Sequence, residues 1–154
     1  MKKLMSTPGI GARVVCGLLL ANALGAKDSV ERPLAARANA FLTVDLLDGS
    51  FDAIGWGEGT HGGRFTDVVS GYVEVSTGSL VIIGAAGNIT AANGDHAFYE
   101  ATGLSGHWTG GTGRFANLSG GFTFVISTPQ VTVDFATMTM TITYAYTVNG
   151  TIVY

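Results

Sequence analysis

The sequence predicts an all-β protein, built as a single closed antiparallel β-barrel of about eight strands. The clearest observation is a strict alternation near the C-terminus, where apolar and polar side chains change places at every residue. The apolar members are Met138, Met140, Ile142, Tyr144, Tyr146 and Val148, with threonines at most positions between them. A two-residue period is typical of strands with one buried face. From residue 41 onward no stretch has helical periodicity over three turns, which leaves a sandwich or barrel.

The composition is that of one folded domain with little charge. The chain has 154 residues, of which 23 are glycine, 47% are apolar and 12% are charged. This length supports a single hydrophobic core, and the apolar content excludes a mostly disordered chain. Residues 38–154 contain nine acidic and two basic side chains, a net charge of -7. Since an acidic surface repels phosphate backbones and anionic headgroups, we expect no nucleic-acid partner and no polybasic membrane anchor.

The first 26 residues follow the three-part order of a secretory signal peptide. Lys2 and Lys3 form a positive start, residues 14–20 form a short apolar run, and small residues follow. The run is shorter than the roughly 20 apolar residues of a transmembrane helix. We expect a signal peptide over 1–26 and a secreted or periplasmic protein; the alternative is a short amphipathic helix of a cytosolic protein. Cys16, the only cysteine, lies in this segment, so no disulfide or zinc–thiolate site is expected after cleavage.

Residues 27–40 differ from the segments on either side. They contain charges, alanines and Pro33, without an alternating pattern. We interpret them as a linker, with a helical turn after Pro33 as one form it could take. The barrel domain is then expected over residues 41–154.

Turn signals divide the predicted domain into seven to nine short strands. Asn93-Gly94 predicts a hairpin. Pro129-Gln130 predicts a turn between two strands, and Asn149-Gly150 predicts a tight turn before the last four residues. Leu80–Ile83 is a continuous apolar run and predicts a strand buried on both faces.

A Gly-Arg-Phe triplet occurs twice, fifty residues apart. The copies are Gly63-Arg64-Phe65 and Gly113-Arg114-Phe115, and a Ser-Gly pair follows each of them. Glycine adopts a positive φ without strain, and a phenylalanine after such a bend starts the next strand by pointing inward. The repeat therefore predicts two equivalent corners of a closed sheet.

The second copy carries a resemblance to a known family. Residues 110–120, Gly-Gly-Thr-Gly-Arg-Phe-Ala-Asn-Leu-Ser-Gly, resemble the Gly-Gly-Thr-Gly-basic-aromatic corner of allene oxide cyclases and dirigent proteins. Residues 60–65 and 150–154 resemble segments of small exported bacterial proteins assigned to the same barrel superfamily. The resemblance implies an eight-stranded antiparallel barrel with an apolar cavity. Plant members form trimers and act mostly by shaping the conformation of an oxylipin or phenoxy radical, and none of their catalytic residues maps onto a numbered position here.

Two kinds of side chain offer catalytic chemistry. Glu100 shares its parity with His96 and Phe98 and is a weak candidate for an acid inside the barrel, where its pKa would be raised; a solvated outer position is the alternative. Arg64 and Arg114 are the only bases of the predicted domain. Either could bind a carboxylate ligand, whereas a corner arginine paired with a carbonyl or an acid is the plainer interpretation.

No metal site is predicted. His61, His96 and His107 are the only histidines, and their spacing matches no metal-binding motif. Each lies beside glycine or in a glycine-rich stretch, which indicates turn or rim positions.

The aromatic side chains suit either a pocket lining or a filled core. Burial of apolar area favours the methionine and tyrosine face of the C-terminal strand as the barrel interior. The predicted ligand-binding residues are Trp108, Met140, Tyr144 and Tyr146, and Tyr144 is also a weak catalytic candidate beside Glu100 and Arg114.

These observations predict an exported barrel that binds a small apolar molecule inside, without cofactor, metal or covalent chemistry. One alternative is an isomerase or cyclase of the allene oxide cyclase or dirigent type, which templates a reactive substrate. Another is a structural or self-associating cell-surface module. A homo-oligomer, dimer or trimer, is compatible with each of them.

Overall fold

A computed structural model describes residues 29–76 and 79–154. These residues form nine β-strands and one 3₁₀ turn, Gly113–Phe115. The strands are β1 (Glu31–Asp45), β2 (Ser50–Gly59), β3 (Gly63–Ser76), β4 (Ser79–Ala91), β5 (His96–Thr102), β6 (Ser105–Gly111), β7 (Gly121–Ile126), β8 (Gln130–Asp134) and β9 (Thr139–Val153). In this part of the chain no helix is long and apolar enough to cross a membrane. The predicted signal peptide, residues 1–26, lies outside the described residues.

The strands close into an antiparallel barrel. From β1 to β7 each strand pairs with the next one along the chain, and β7 pairs with β9. Strand β9 then pairs with β1 along its whole length, from Glu31↔Val153 to Asp45↔Thr139, which closes a ring of eight strands. Among the described strands β8 pairs only with β9 and stands outside the ring. The predicted fold class is confirmed.

The C-terminal strand orients its side chains as the alternation predicts. Met140, Ile142, Tyr146 and Val148 are buried and Tyr144 is half-buried, whereas the side chains between them from Thr143 onward are exposed. The apolar face therefore lines the interior, where each square ångström removed from water contributes about 25 cal/mol.

The interior contains two groups of buried side chains. The aromatic cluster includes Tyr99, Trp108, Phe115, Phe122 and Tyr146, with smaller aliphatic residues between them. The aliphatic cluster consists of Leu42, Val44, Phe51, Ala53, Val73, Met140 and Ile142. Val69, Ala85 and Tyr144 pack against both groups, so the two clusters share one continuous interior.

Strand β1 corrects the interpretation of residues 27–40 as a linker. It begins at Glu31, ten residues before the expected start of the domain at Phe41, and no helical turn follows Pro33. Its inward side chains include Leu34, Ala38 and Ala40, all buried. Alanine is only weakly hydrophobic, so the alternation of alanines with charged residues did not indicate a strand. Pro33 is tolerated because it lies close to the start of the strand.

Two further local predictions are wrong. Asn149-Gly150 is not a turn, because β9 continues through it to Val153. A Cβ at Gly150 would overlap the β7 backbone at Gly121 and Phe122, so the glycine permits a close approach of two strands. Leu80–Ile83 is not buried on both faces, since Val81 and Ile83 are 47% and 55% exposed on the outside of the barrel. By contrast, Asn93-Gly94 does join β4 to β5, and Pro129 does lie between β7 and β8.

The two Gly-Arg-Phe triplets share a backbone conformation but not an element of structure. Gly63 and Gly113 have φ angles of 61° and 54°, and Phe65 and Phe115 are both buried, as predicted. Gly63 opens β3 after the turn from β2, whereas Gly113 opens the 3₁₀ turn between β6 and β7. The corners are therefore not equivalent, and Phe115 lies in a turn instead of starting a strand.

Candidate functional site

One carboxyl group lies inside the barrel. Asp67 on β3 is 5% exposed, and no other charged residue within 29–76 and 79–154 is buried. Side chains two positions apart on a strand share a face, and Asp67 lies between Phe65 and Val69, which both pack in the interior. The alternation of β3 thus forces a polar side chain into an apolar environment.

Two tyrosines hold this carboxyl group. The Tyr99 hydroxyl lies 3.1 Å from Oδ1 and 2.9 Å from Oδ2 of Asp67, and the Tyr146 hydroxyl donates to Oδ2 at 3.3 Å. Tyr99 belongs to β5 and Tyr146 to β9, and neither strand pairs with β3. Hydrogen bonds to a charged group contribute more than neutral ones, so the three side chains connect strands that the sheet does not join directly.

The surroundings raise the pKa values of the carboxyl and of three tyrosines. Burial raises the pKa of Asp67 from 3.8 to about 6, because it disfavours the charged form, and the two tyrosine hydrogen bonds oppose this rise. Burial, and then the Asp67 charge, raise the pKa of Tyr144 to about 12. The same causes raise the pKa values of Tyr99 and Tyr146 well above the ordinary value. Near neutral pH the interior therefore contains one carboxyl that titrates and three neutral hydroxyls.

Two small cavities flank the carboxyl group. Each has a volume of about 50 Å³, and the residues that line both are Asp67, Tyr99, Phe124 and Tyr146. The first cavity extends into the aromatic cluster and reaches His61 at the turn between β2 and β3. The second extends toward the aliphatic cluster and is lined by Tyr144. A single water needs roughly 10–15 Å³ on this measure, so each cavity holds a few atoms.

A second polar atom is buried beside the first cavity. Trp108 on β6 is 8% exposed and lines this cavity. Tyr99 and Phe122 pack against it with ring centroids at 6.0 and 4.7 Å, but its Nε1 has no hydrogen-bond partner among the described residues. An unsatisfied buried N–H costs about 1–3 kcal/mol. An oxygen atom within hydrogen-bond distance of this N–H would remove that cost. Because the Nε1 is almost inaccessible in this geometry, a neighbouring side chain must move to admit the oxygen.

The structure brings most of the predicted ligand-binding residues into the interior and divides them between the cavities. Trp108 lines the first cavity, Tyr144 the second and Tyr146 both. Met140 is buried in the aliphatic cluster but does not line either cavity.

Glu100, the catalytic candidate proposed for the interior, lies outside the barrel. It alternates on β5 with Tyr99 and Ala101, which are buried, so its own side chain is exposed. Its Oε2 lies 3.7 Å from His107 Nε2 on the neighbouring strand. The idea of an acid inside the barrel therefore applies to Asp67 and not to Glu100.

Arg114 lies at an outer corner of the barrel and pairs with an acid, which was the alternative to a ligand-binding role. Its Nε lies 3.7 Å from Oδ2 of Asp95, and its guanidinium group lies 4.8 Å from the centre of the Phe115 ring. The Asn93 amide and the Arg114 backbone N–H, which both donate to Asp95, lower the pKa of that carboxyl. Arg114 thus holds a turn and is remote from the Asp67 carboxyl.

Arg64 lies at an external groove of about 670 Å³, whose lining also includes Arg37, Trp56, Glu58 and Val125. Arg37 and Glu58 form an ion pair at 3.8 Å, with side chains 82% and 61% exposed. Exposed pairs of this kind contribute little. The groove therefore offers volume, but its charged side chains are solvated and bind a ligand weakly.

The histidines are dispersed. His61 contacts the Pro33 carbonyl at 2.9 Å and the Tyr154 hydroxyl at 3.1 Å, while His96 contacts Thr90 and Asn88. Within the described part of the chain no three His, Cys, Asp or Glu side chains lie close enough to hold a metal ion.

Sequence reasoning missed two residues of this site, Asp67 and Tyr99. For Asp67 there was a signal, since its parity with Phe65 and Val69 indicates that it faces inward. No sequence signal, however, connects it to Tyr99 and Tyr146, which follow 32 and 79 residues later.

Comparison of the chain with protein-family models, with curated proteins and with solved structures finds no match.

Proposed function

We propose that the barrel binds a small, largely apolar molecule with one hydrogen-bonding oxygen, in the cavity between Asp67 and Trp108. The observation that carries this proposal is a pair of polar groups in one apolar cavity. Asp67 offers an acceptor, and the Trp108 Nε1 offers a donor that has no partner within the described chain. Binding sites for small molecules combine an apolar lining with a few polar groups of this kind.

The cavity volume limits the size of the ligand. A cavity of about 150 Å³ accommodates benzene, three times the volume of about 50 Å³ beside Trp108. The cavity in this geometry therefore holds only about two or three heavy atoms. A ketone such as butan-2-one, which is close to benzene in volume, enters only if neighbouring side chains move. The side chains best placed to do so are those of Tyr99 and Tyr146, which line both cavities.

Nuclear magnetic resonance of the two tryptophan indole groups tests the proposal. The full-length protein is titrated with butan-2-one, and Trp56→Phe assigns the two indole signals. We expect a saturable shift of the Trp108 indole proton, because the ketone oxygen accepts from it, and no shift for Trp56, which is 50% exposed. Pentane, which is similar in size but lacks oxygen, should shift the signal less.

Trp108→Phe keeps an aromatic ring in the cluster but removes the indole N–H, so its binding is followed by the backbone amide signals of β6. Its affinity for butan-2-one should fall to the affinity for pentane, because the ketone oxygen then has no donor. Thr143→Val, on the exposed face of β9, is the matched control and should bind like the unmodified protein. If neither probe shifts the Trp108 signal saturably, the proposal is wrong, and a side-chain-filled barrel with a structural role is the function that remains.

Proton transfer is a second candidate function, favoured by the pKa of Asp67. A carboxyl with a pKa of about 6 exchanges a proton close to neutral pH, as an isomerase that templates its substrate requires. Incubation of butan-2-one with the protein in D₂O measures this activity as deuterium uptake beside the carbonyl. We expect faster uptake with the unmodified protein than with Asp67→Asn; equal rates would contradict an acid–base role.

Export is a third element of the proposal and depends on the order of residues within 1–26. Mass spectrometry of protein recovered outside the cytoplasm should find a start between Leu24 and Lys27. Intact Met1 on protein confined to the cytoplasm would contradict export.

A further inference from the structure

Strand β8 is a free sheet edge. It pairs with β9 over Gln130↔Thr143 to Asp134↔Thr139. Strand β7, which precedes β8, also pairs with β9 and pairs with β6 on its other side. The pairing of β6 with β7 starts at Ser105↔Thr123, where β6 begins, so β6 does not extend far enough to pair with β8. No described strand pairs with the second side of β8. Its outer row of backbone donors and acceptors is therefore open to another strand.

The free edge lacks the usual protection. All five residues, Gln130 to Asp134, are exposed, and three of them are the β-branched residues Val131, Thr132 and Val133, which favour strands. Natural edge strands are commonly blocked by lysine, by an inward charge or by a bulge. Here Pro129 precedes the strand, but no lysine or proline lies within it.

The two valines share a face with the barrel interior. Val131 pairs with Ile142 and Val133 with Met140, both buried members of the aliphatic cluster. Yet the valines are 53% and 38% exposed, because no described strand lies beside them at the unpaired edge of β8. A strand added to this edge would extend the sheet and bury both.

We propose that a second copy of this chain supplies that strand, and that two β8 edges pair antiparallel about a two-fold axis at Thr132. A two-fold axis brings the same surface of both copies together. In this register Val131 faces Val133 of the second copy, Thr132 faces Thr132, and Gln130 faces Asp134. Paired β-branched residues and Thr–Thr pairs stabilise a sheet.

Charge favours the antiparallel orientation. Asp134 is the only charged residue of β8, and the antiparallel register places it opposite the neutral amide of Gln130. A parallel, in-register pairing would instead place two aspartates opposite each other, which is destabilising. Because residues 38–154 carry a net charge of -7, two copies repel each other at long range, and added salt should strengthen the pairing by screening this repulsion.

One neighbouring apolar residue enlarges the surface. Phe135, which directly follows β8, is 77% exposed and adds apolar area next to the edge. A stable interface buries about 800 Å² per partner, more than a five-residue strand and one phenylalanine provide. We therefore expect a reversible dimer.

Sedimentation equilibrium of the full-length protein measures the association. We expect a monomer–dimer equilibrium for the unmodified chain. Val133→Lys should weaken dimerisation about tenfold or more, since it places two lysines in the new interface. Val68→Lys is the control, because Val68 is an exposed valine (59%, against 38% for Val133) on β3, away from this edge, and it should not change the equilibrium. Urea unfolding of both variants checks that Val133→Lys leaves the barrel folded.

Cysteine cross-linking tests the register. In a Cys16→Ser background, Thr132→Cys lies on the two-fold axis, where paired Cα atoms are about 4.5–5.5 Å apart, within disulfide range. We expect Thr132→Cys to form a covalent dimer on oxidation and Gln130→Cys to do so much less. A monomeric chain at the highest concentration reached, or equal dissociation by Val133→Lys and Val68→Lys, would overturn the proposal. So would equal cross-linking at positions 130 and 132. None of these outcomes bears on ligand binding at Trp108.

Discussion

The two halves of the barrel interior differ in how completely the sheet encloses them. The aromatic cluster, around Trp108 and Phe122, lies where all eight strands of the ring pair. The aliphatic cluster, around Val44 and Met140, lies toward the end where β8 leaves a free edge. Asp67 lines the cavities of both halves, but the Trp108 Nε1, which has no partner among the described residues, belongs to the first. The proposed ligand site thus lies where the sheet is complete, and the proposed association surface lies at the aliphatic half.

The largest loss of stability should come from adding a side chain next to the aromatic cluster. A Cβ at Gly87 on β4 would overlap the Tyr99 ring, so Gly87→Val must displace the side chain that holds Asp67. Overpacking costs typically 1–3 kcal/mol, and we expect a loss of about 3 kcal/mol because the displaced ring is buried and hydrogen-bonded. Urea unfolding followed by circular dichroism measures it.

Gly84→Val on the same strand is the control, since a Cβ at Gly84 meets no atom within 4 Å. It should cost less than about 1 kcal/mol, because valine favours strands. Similar losses in the two variants would show that Tyr99 does not pack as described, and would remove the distinction between the halves.

The next effect concerns the aliphatic half. Val44 is fully buried, and Val44→Ala should cost about 2 kcal/mol through lost burial and a residual cavity. Because Val44 lines neither cavity, the indole signal of Trp108 should stay where it is. A shift of that signal comparable to the one produced by butan-2-one would mean that the two halves are coupled and not distinct.

The smallest expected losses of stability come from substitutions that compare the two Gly-Arg-Phe corners. Both glycines have a positive φ, which costs about 1 kcal/mol for another residue. A Cβ at Gly63 meets no atom, whereas one at Gly113 would overlap the Asp95 carboxylate. Gly113→Ala should therefore lower the melting temperature more than Gly63→Ala. Equal decreases would restore the view of two equivalent corners.

The sequence predicted the parts of the fold that depend on local patterns. The alternation of β9, the Asn93-Gly94 hairpin and the positive φ at Gly63 and Gly113 are properties of short segments, and the structure confirms them. The first ten residues of β1 were missed because their inward side chains are mostly alanine. Gly150 was misread because an Asn-Gly pair predicts a turn wherever it occurs, whereas the approach of β7 depends on the closed barrel.

The candidate site was predictable only in part, for the same reason. Trp108 and Tyr146 were expected in the interior because aromatic residues on an apolar face are buried. Asp67 required knowledge of which parity of β3 faces inward and of two tyrosines from distant strands. That arrangement is a property of barrel closure, which pairs residues far apart in the chain.

The account depends most directly on a titrating carboxyl buried between the two halves. Below about pH 3 Asp67 is protonated in both folded and unfolded states, so it adds no cost. As the pH rises toward 6 the unfolded state releases its proton first, because the folded pKa is raised from 3.8 to about 6. The free energy of unfolding should therefore fall, by up to about 3 kcal/mol.

The decisive measurement is the free energy of unfolding in urea between pH 2 and pH 8, for the unmodified protein and for Asp67→Asn, which keeps an acceptor oxygen for the tyrosines. The account predicts that the stability of the unmodified protein relative to Asp67→Asn falls between about pH 3 and pH 6 and is constant above about pH 7. Asp134→Asn is the control of opposite sign, since backbone and Thr137 hydrogen bonds lower the pKa of Asp134; its relative stability rises with pH below about pH 5 and is constant above that. A difference between the unmodified protein and Asp67→Asn that does not change across this range would contradict a buried carboxyl inside the barrel.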